Sequence, residues 1–280
     1  MPQIATYLDR IGYRGRVEPT LDCLRGIHRG HAFSIPYENI DVQLGIPLDR
    51  NIERIFDKLV ARRRGGWCYE MNGLLGWALS AIGFRVMPVA AGILRVERGD
   101  AALGNHLVLL VELERRRYLA DLGMGDGMRE PIPLESGVHR QGRLDFTLES
   151  IGDGDWRFHS HSFGYPPNYD FRVEPADETL LDAKCQSLQT VPESVFVQNL
   201  ICQRMKPDSV TCLTGRVLRH KEKGRTVKQL LNSPDELART LASMFGIESV
   251  DIAPIWQKVL ARHELLFGDS AIDAIDVRGM

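Results

Sequence analysis

Through the first third of the chain apolar residues recur every three or four positions, and beyond Phe84 they fall into short runs rich in β-branched and aromatic residues. The first pattern predicts helices and the second strands. Ile4, Tyr7, Leu8 and Ile11 share one helical face that Gly12 ends, and Thr20 is placed to cap a second helix carrying Leu21, Leu24 and Ile27. Ile52, Ile55, Phe56, Leu59 and Val60 form the stripe of a third, stopped by Gly65-Gly66. Met71, Leu74, Leu75, Ala78 and Ile82 keep the period up to Gly83, which predicts a buried helix with Cys68 in its first turn.

The strand-like runs are FRVMPVAAGILRV, HLVLLVEL, RRYLADLG, GRLDFTLES, WRFHSHSF and YDFRVEP, separated by Gly, Asp and basic turns, a spacing that suggests a small barrel or sandwich. SVFVQNLICQRM reads as helical, TCLTGRVLRH and KGRTVKQLL as two further strands. SPDEL opens a helix that ends near Gly246, and IAPIWQKVLARHELLFG forms the last one. The class is α+β, divided into a helical unit over 1–83 that carries the cysteine, a β unit over 84–190, and an interdomain helix with an α/β unit over 191–280.

Composition narrows the partner. Lys+Arg at 35 nearly cancels Asp+Glu at 37, so no charge excess points to nucleic acid or a membrane surface, and a small molecule is the expected partner. The start, MPQIATYLDRIGYRG, has no basic n-region and meets Asp9 before an apolar core can form, and the longer apolar runs are too short to span a bilayer. Five cysteines without close pairs do not make a disulfide framework. A cytoplasmic location is expected.

Cys68 follows two glycines at a helix start. A thiol attacks as thiolate, and at an unperturbed pKa of roughly 8.5 only about 3% is ionised at neutral pH. A helix N-terminus stabilises an anion in its first turn, the glycines permit close approach and would leave the sulfur uncovered, and a histidine could hold the proton. Taken alone, a free cysteine is also read as a small buried hydrophobe. Of the eight histidines, His106 opens HLVLLVEL after the turn residues Gly104 and Asn105, and Asp121 ends RRYLADLG. If the two runs form a hairpin turning near 114–116, His106 and Asp121 meet at its far end, giving the nucleophile, base and orienter arrangement. Each also has a plain reading, a hydrogen-bonded strand-end histidine and a turn-forming aspartate.

RGGWCYEMN (Arg64 to Asn72) resembles the arylamine N-acetyltransferase signature R-G-G-x-C-x-E-x-N at every fixed position. IPYENID (Ile35 to Asp41) is similar to the family's I-P-F-E-N-L, and DLGMG followed by PIPL (Asp121 to Leu134) to its D-V-G-F-G and proline-containing continuation. The resemblance implies a helical bundle, a β-barrel and an α/β lid around a cysteine-protease-like catalytic core. It makes Cys68 the acyl-accepting nucleophile, His106 its base and Asp121 the orienting carboxylate. The implied reaction is ping-pong: acetyl-CoA acylates Cys68, and an aromatic amine or hydrazine takes the acetyl group. By the same resemblance Tyr37, Asn105, Gly123 and Met124 line the acceptor pocket, Met124 standing where the family often has a phenylalanine that would stack on the arene. Gly104 and Gly125 are the glycines expected to approach CoA.

Ionisation alone gains little, since lowering the thiol pKa by three units raises the thiolate fraction about 30-fold while nucleophilicity falls by a similar factor at a Brønsted slope of ~0.4–0.5. The step expected to gain most is acetyl release to the amine, because a low-pKa sulfur leaves more readily. His28 with His31, and His159 with His161, share faces, but no cysteine or carboxylate stands at ligand spacing and no metal is expected. The arginine runs 62–64 and 115–117 read as a solvated helix end and a hairpin turn, either able to attract CoA phosphates, with Arg64 expected beside Glu70. Two further enzyme readings use the same residue order: an amide synthase closing a macrolactam from a carrier-bound thioester, and a transglutaminase-like enzyme. A silent binding module is a third alternative, and oligomeric state is left open.

Overall fold

The computed structural model describes residues 1–248, 250–268 and 270–277. The helical unit consists of Ile4–Ile11, Leu21–Ser34, Ile40–Leu44, Ile52–Phe56 with a π-helical continuation over Asp57–Ala61, and Cys68–Ile82. Thr20 caps the second helix by accepting from the Cys23 N–H, and Gly12 and Gly83 close their helices in the left-handed conformation. Tyr7, Leu24, Ile27, Leu59, Leu74 and Leu75 form the centre of its core.

An eight-stranded antiparallel sheet follows. Its spatial order is Ile132–Pro133, Arg116–Ala120, His106–Leu113, Arg85–Ile93, Asn168–Arg172, Asp155–His159, Leu144–Gly152 and Gly137–Gln141. The two edge strands are consecutive in the chain, joined through residues 134–136, so the sheet must curl until its edges approach each other. His106–Leu113 is buried on both faces, which explains its unbroken apolar run. Val108 and Leu110 point into the barrel with Phe146, Phe158 and Phe171, while Leu107, Leu109 and Val111 pack on the helices.

A second, five-stranded antiparallel sheet runs in the order Tyr37–Glu38, Ile201–Met205, Ser209–Thr214, Val217–Glu222 and Arg225–Leu230. Helices Pro234–Thr240, continued over Leu241–Phe245, and Ala253–Phe267 cover it, burying Leu213, Leu237, Phe245 and Trp256. The chain then packs Ile275 and Val277 beside Val217, with residues 278–280 outside the described part.

Three readings are corrected. The segment expected as one helix, SVFVQNLICQRM, is helical only over Val195–Gln198 and turns into the strand Ile201–Met205. Asn39 enforces the break: its Nδ2 donates to the Phe196 and Asn199 carbonyls, and its Oδ1 accepts from the Ile201 N–H at 2.7 Å. TCLTGRVLRH is a hairpin, with Thr214 paired to Val217 across Gly215-Arg216. Glu178–Thr190, capped by Asp177, is a helix the periodicity did not reveal; it buries Leu181 and Cys185 against the N-terminal helical core. No helix among the described residues is long and apolar enough to cross a membrane.

Candidate active site

The approach to Cys68 is set by two glycines and a buried ion network. The Gly66 carbonyl accepts from the Glu38 N–H at 3.0 Å, and a Cβ on Gly65 would stand 2.2 Å from the Pro36 carbonyl oxygen. The glycines thus serve close packing of one main chain on another; they do not expose the sulfur, for Cys68 is only 2% exposed. Arg64 donates to Glu38 Oε1 from Nε and Nη2, at 3.0 and 2.7 Å, and to Asp41 Oδ1 at 3.0 Å. Lys58 lies 2.9 Å from both Asp41 and Glu70. Arg64 therefore pairs with Glu38 and Asp41, where Glu70 was expected, and Lys58 takes Glu70. Glu70 Oε2 also accepts from the Trp67 N–H at 3.3 Å, tying the helix start beside Cys68 into the network.

His106 and Asp121 meet at the end of a hairpin, as the spacing suggests. Leu109 pairs with Ala120, which sets Asp121 across from Val108 and on the face of His106. His106 Nε2 is 2.9 Å from Asp121 Oδ2. The other oxygen, Oδ1, accepts from Asn72 Nδ2 at 2.8 Å and from the Gly123 N–H at 2.7 Å. Burial opposes ionisation of Asp121, but His106, Asn72 and Gly123 hold its pKa below the ordinary carboxylate value. An ionised Asp121 can only accept, so Nε2 carries the proton and Nδ1 presents its lone pair. Nδ1 is buried and has no hydrogen-bond partner in the structure.

Gly123 measures how close the sulfur side chain comes. A Cβ on it would lie 2.6 Å from Cys68 Cβ and 2.7 Å from His106 Cε1, so both side chains pack against a single point. Burial pushes the Cys68 thiol up, with Cys185 and Asp121 adding to it, while the backbone of Leu107 and Tyr69 pulls the other way. Burial therefore opposes ionisation of this thiol unless a cation forms beside it. The helix start alone, offered as one source of ionisation, does not outweigh burial here.

A family profile described as N-acetyltransferase matches residues 20–253. An arylamine N-acetyltransferase of Mycolicibacterium smegmatis is 36% identical over 263 residues, covering 88% of this chain and 92% of that protein. Arylamine N-acetyltransferase 1 of Homo sapiens is 31% identical over 288 residues, covering 93% and 97%. The chain belongs to the arylamine N-acetyltransferase family. Among solved structures, that of the Mycobacterium marinum arylamine N-acetyltransferase in complex with CoA superimposes with a TM-score of 0.84 at 30% identity, over 92% of this chain and 98% of that one.

Around Cys68, His106 and Asp121 the structure separates residues that sequence reasoning had grouped. Tyr37 is buried with its hydroxyl toward the Cys68 backbone, and burial raises its pKa. Asn105 turns its amide to Ile93, accepting from its N–H at 2.8 Å and donating to its carbonyl at 3.3 Å, so it fixes the strand before His106. Gly104 accepts from the Tyr69 hydroxyl at 2.5 Å, and a Cβ there would meet Leu180 at 2.9 Å. Gly125 packs on Gln203, whose Oε1 would be 1.6 Å from an added Cβ. Met124 is 5% exposed and packs in the barrel core.

Two residues went unassigned in the sequence. Asn72 lies in the signature and links the cysteine helix to the hairpin. Tyr169, on the strand Asn168–Arg172, packs its ring 5.1 Å from the His106 ring; only the fold brings them together. The histidine pairs part company: His28 Nδ1 faces the Arg129 carbonyl at 3.1 Å, His31 the Tyr7 hydroxyl at 3.0 Å, His159 Glu149 at 3.2 Å and His161 Asp126 at 3.1 Å. Among the described residues no group of three or more His, Cys, Asp or Glu side chains is arranged to hold a metal ion.

Proposed function

We propose that the chain transfers an acetyl group from acetyl-CoA to the nitrogen of an arylamine or arylhydrazine through a thioester on Cys68. The supporting observation is the free, buried Nδ1 of a histidine whose Nε2 is held by Asp121, packed beside Cys68 around Gly123.

Cys68 Sγ attacks the acetyl carbonyl as its proton moves to His106 Nδ1; the carbon–sulfur bond to CoA breaks, and the departing thiolate takes that proton. The amine then attacks the thioester, Sγ leaves, and the proton lost from nitrogen returns through His106. An aromatic amine is largely unprotonated at neutral pH, so its lone pair is available and His106 needs only to collect a proton as the amide forms. Asp121 keeps Nε2 protonated and orients the ring. Cys68, His106 and Asp121 are each at most 2% exposed, so substrate entry requires the groups covering the sulfur to shift. Tyr37 and Gly123 are the predicted pocket residues that touch Cys68. A reducing cytoplasm suits five free, buried cysteines.

The test is intact mass after incubation with acetyl-CoA and no amine. One added acetyl on the wild type and none on Cys68→Ala, discharged by an aromatic amine or hydrazine, is the expected result. No acetyl on either protein, with acylation by another thioester or by a peptide amide, would replace this reading with the amide-synthase or transglutaminase-like one.

A further inference from the structure

The two elements that meet at Cys68 are bridged by a side chain the mechanism leaves idle. Gln203, on the strand Ile201–Met205, stands directly across from Tyr37 on one neighbouring strand and from Cys212 on the other, so the three side chains share one face of the five-stranded sheet. Tyr37 turns its hydroxyl toward the Cys68 backbone. From the other side comes the loop after Asp121: Gly123 packs on Cys68 and His106, and Gly125 packs on Gln203. The Gln203 side chain fills the place that one at 125 would take, with Cδ 2.7 Å and Cβ 3.2 Å from where that Cβ would stand. It therefore closes the gap between Tyr37 and the loop, one layer out from the groups that surround the sulfur.

Its amide is unpaired. Gln203 as a residue is only partly buried, but Oε1 is shut off from solvent and has no hydrogen-bond partner in the structure. Leaving a buried acceptor without a donor costs about 1–3 kcal/mol, and a methionine would fill the same space without that cost. An oxygen held in this way is free to turn toward a donor that arrives with the substrate.

We infer that Gln203 Oε1 is a specificity group for the acyl acceptor, accepting the N–H that an arylhydrazine carries next to its attacking nitrogen. The inference rests on the acetyl-transfer reading above. The attacking nitrogen must reach the acetyl carbon on Sγ and release its proton to His106, so it lies among the groups that surround the sulfur. The next atom outward falls at the layer of Gln203. In an arylhydrazine that atom is a second nitrogen bearing hydrogen; in an arylamine it is a ring carbon with nothing to donate. Reach permits the contact, since Gly123 and Gly125 are at most about 7 Å of main chain apart. A site whose polar group is satisfied by one ligand and left unpaired by another discriminates between them.

The experiment compares phenylhydrazine with 1-methyl-1-phenylhydrazine, which keeps the attacking NH2 and replaces the inner N–H by N–CH3. kcat/KM for both is measured on the wild type, on Gln203→Met, which keeps the length and has no amide, and on Gln203→Glu, which keeps an acceptor oxygen. Damage common to both acceptors cancels in their ratio. Phenylhydrazine should be favoured by the wild type and by Gln203→Glu, and the ratio should fall about five- to tenfold in Gln203→Met. A wild type without that preference overturns the inference before any variant is made. A ratio equal in all three proteins, or lost equally in Gln203→Met and Gln203→Glu, overturns it too. If the wild type takes no acetyl group from acetyl-CoA onto Cys68, the acetyl-transfer reading itself is refuted and this inference falls with it.

Discussion

Asn72 Nδ2 donates to Asp121 Oδ1 across 2.8 Å and to the Leu107 carbonyl across 2.6 Å, while its Oδ1 accepts from the Leu122 N–H at 2.8 Å. One amide thus joins the cysteine helix to both strands of the hairpin that carries His106 and Asp121. Removing it leaves buried groups unpaired. Asn72→Ala is expected to lose about 1–3 kcal/mol of stability per stranded group and part of the about 10²–10⁴ supplied by general-base catalysis. Asn72→Asp should be worse in kcat, because a second carboxylate then faces Asp121. Urea denaturation and steady-state rates check both, and a fully active Asn72→Ala would remove the positioning role.

Gly123→Ala inserts a methyl 2.6 Å from Cys68 Cβ and 2.7 Å from His106 Cε1. Neither side chain has room to retreat in a buried site, so overpacking should cost about 1–3 kcal/mol and push nucleophile and base apart. The expected signature is a protein that still folds but acquires the Cys68 acetyl far more slowly, read by rapid-quench mass spectrometry. An unchanged acetylation rate would show that the contact carries no catalytic geometry.

Glu70 gives a pH signature. Burial, aided by Glu38 and Asp41 and opposed by Lys58, raises its pKa from 4.5 to about 7. A carboxyl whose folded pKa lies above its unfolded one favours the folded state when protonated. Its effect on stability therefore declines as pH climbs from about 4.5 and levels off above about 7. Glu70→Gln lacks this titration, so its stability relative to wild type should improve across that window. Urea midpoints of both proteins at pH 5 and pH 7.5 decide it, and a difference that does not move with pH refutes the assignment.

Much of this arrangement was legible because it is local. The helix stripes, the glycine stops and the hairpin joining HLVLLVEL to RRYLADLG follow from period and turn chemistry alone, and they suffice to bring His106 to Asp121. What escaped depends on partners far along the chain. Ile201–Met205 has apolar positions that suit a helix, and it becomes a strand because Tyr37–Glu38 and Ser209–Thr214 pair with it and Asn39 stops the helix before it. The same distance hides Tyr169 from His106 and Lys58 from Glu70. Asn105, Gly104 and Met124 sit beside the motifs in sequence yet face Ile93, Leu180 and the barrel core, since neighbours along a chain need not share a face.

Met124 turns that last point into a test. As a barrel-core side chain at 5% exposure it should behave as packing, so Met124→Ala is expected to cost about 2–5 kcal/mol of stability. KM for different aryl acceptors should then move together. A stable variant with altered ring preference would return the side chain to the acceptor pocket.

The deciding electrostatic question concerns who holds the thiol proton. Burial raises the Cys68 thiol above its ordinary value, and the ring with the unpartnered His106 Nδ1 is packed beside it. In the wild type, proton transfer within the pair makes a thiolate–imidazolium without adding net charge, so a thiolate can form well below the pH at which an isolated buried thiol would ionise. In His106→Gln that route is gone, and the thiol should titrate above the ordinary thiol range. Iodoacetamide trapping of Cys68 across pH 5–10, with the 240 nm thiolate absorbance, reads both proteins directly. The variant's alkylation profile should shift to higher pH than the wild type's. Coincident profiles would mean that His106 takes no proton from Cys68 in the resting enzyme, and the base would then have to act only after substrate has entered.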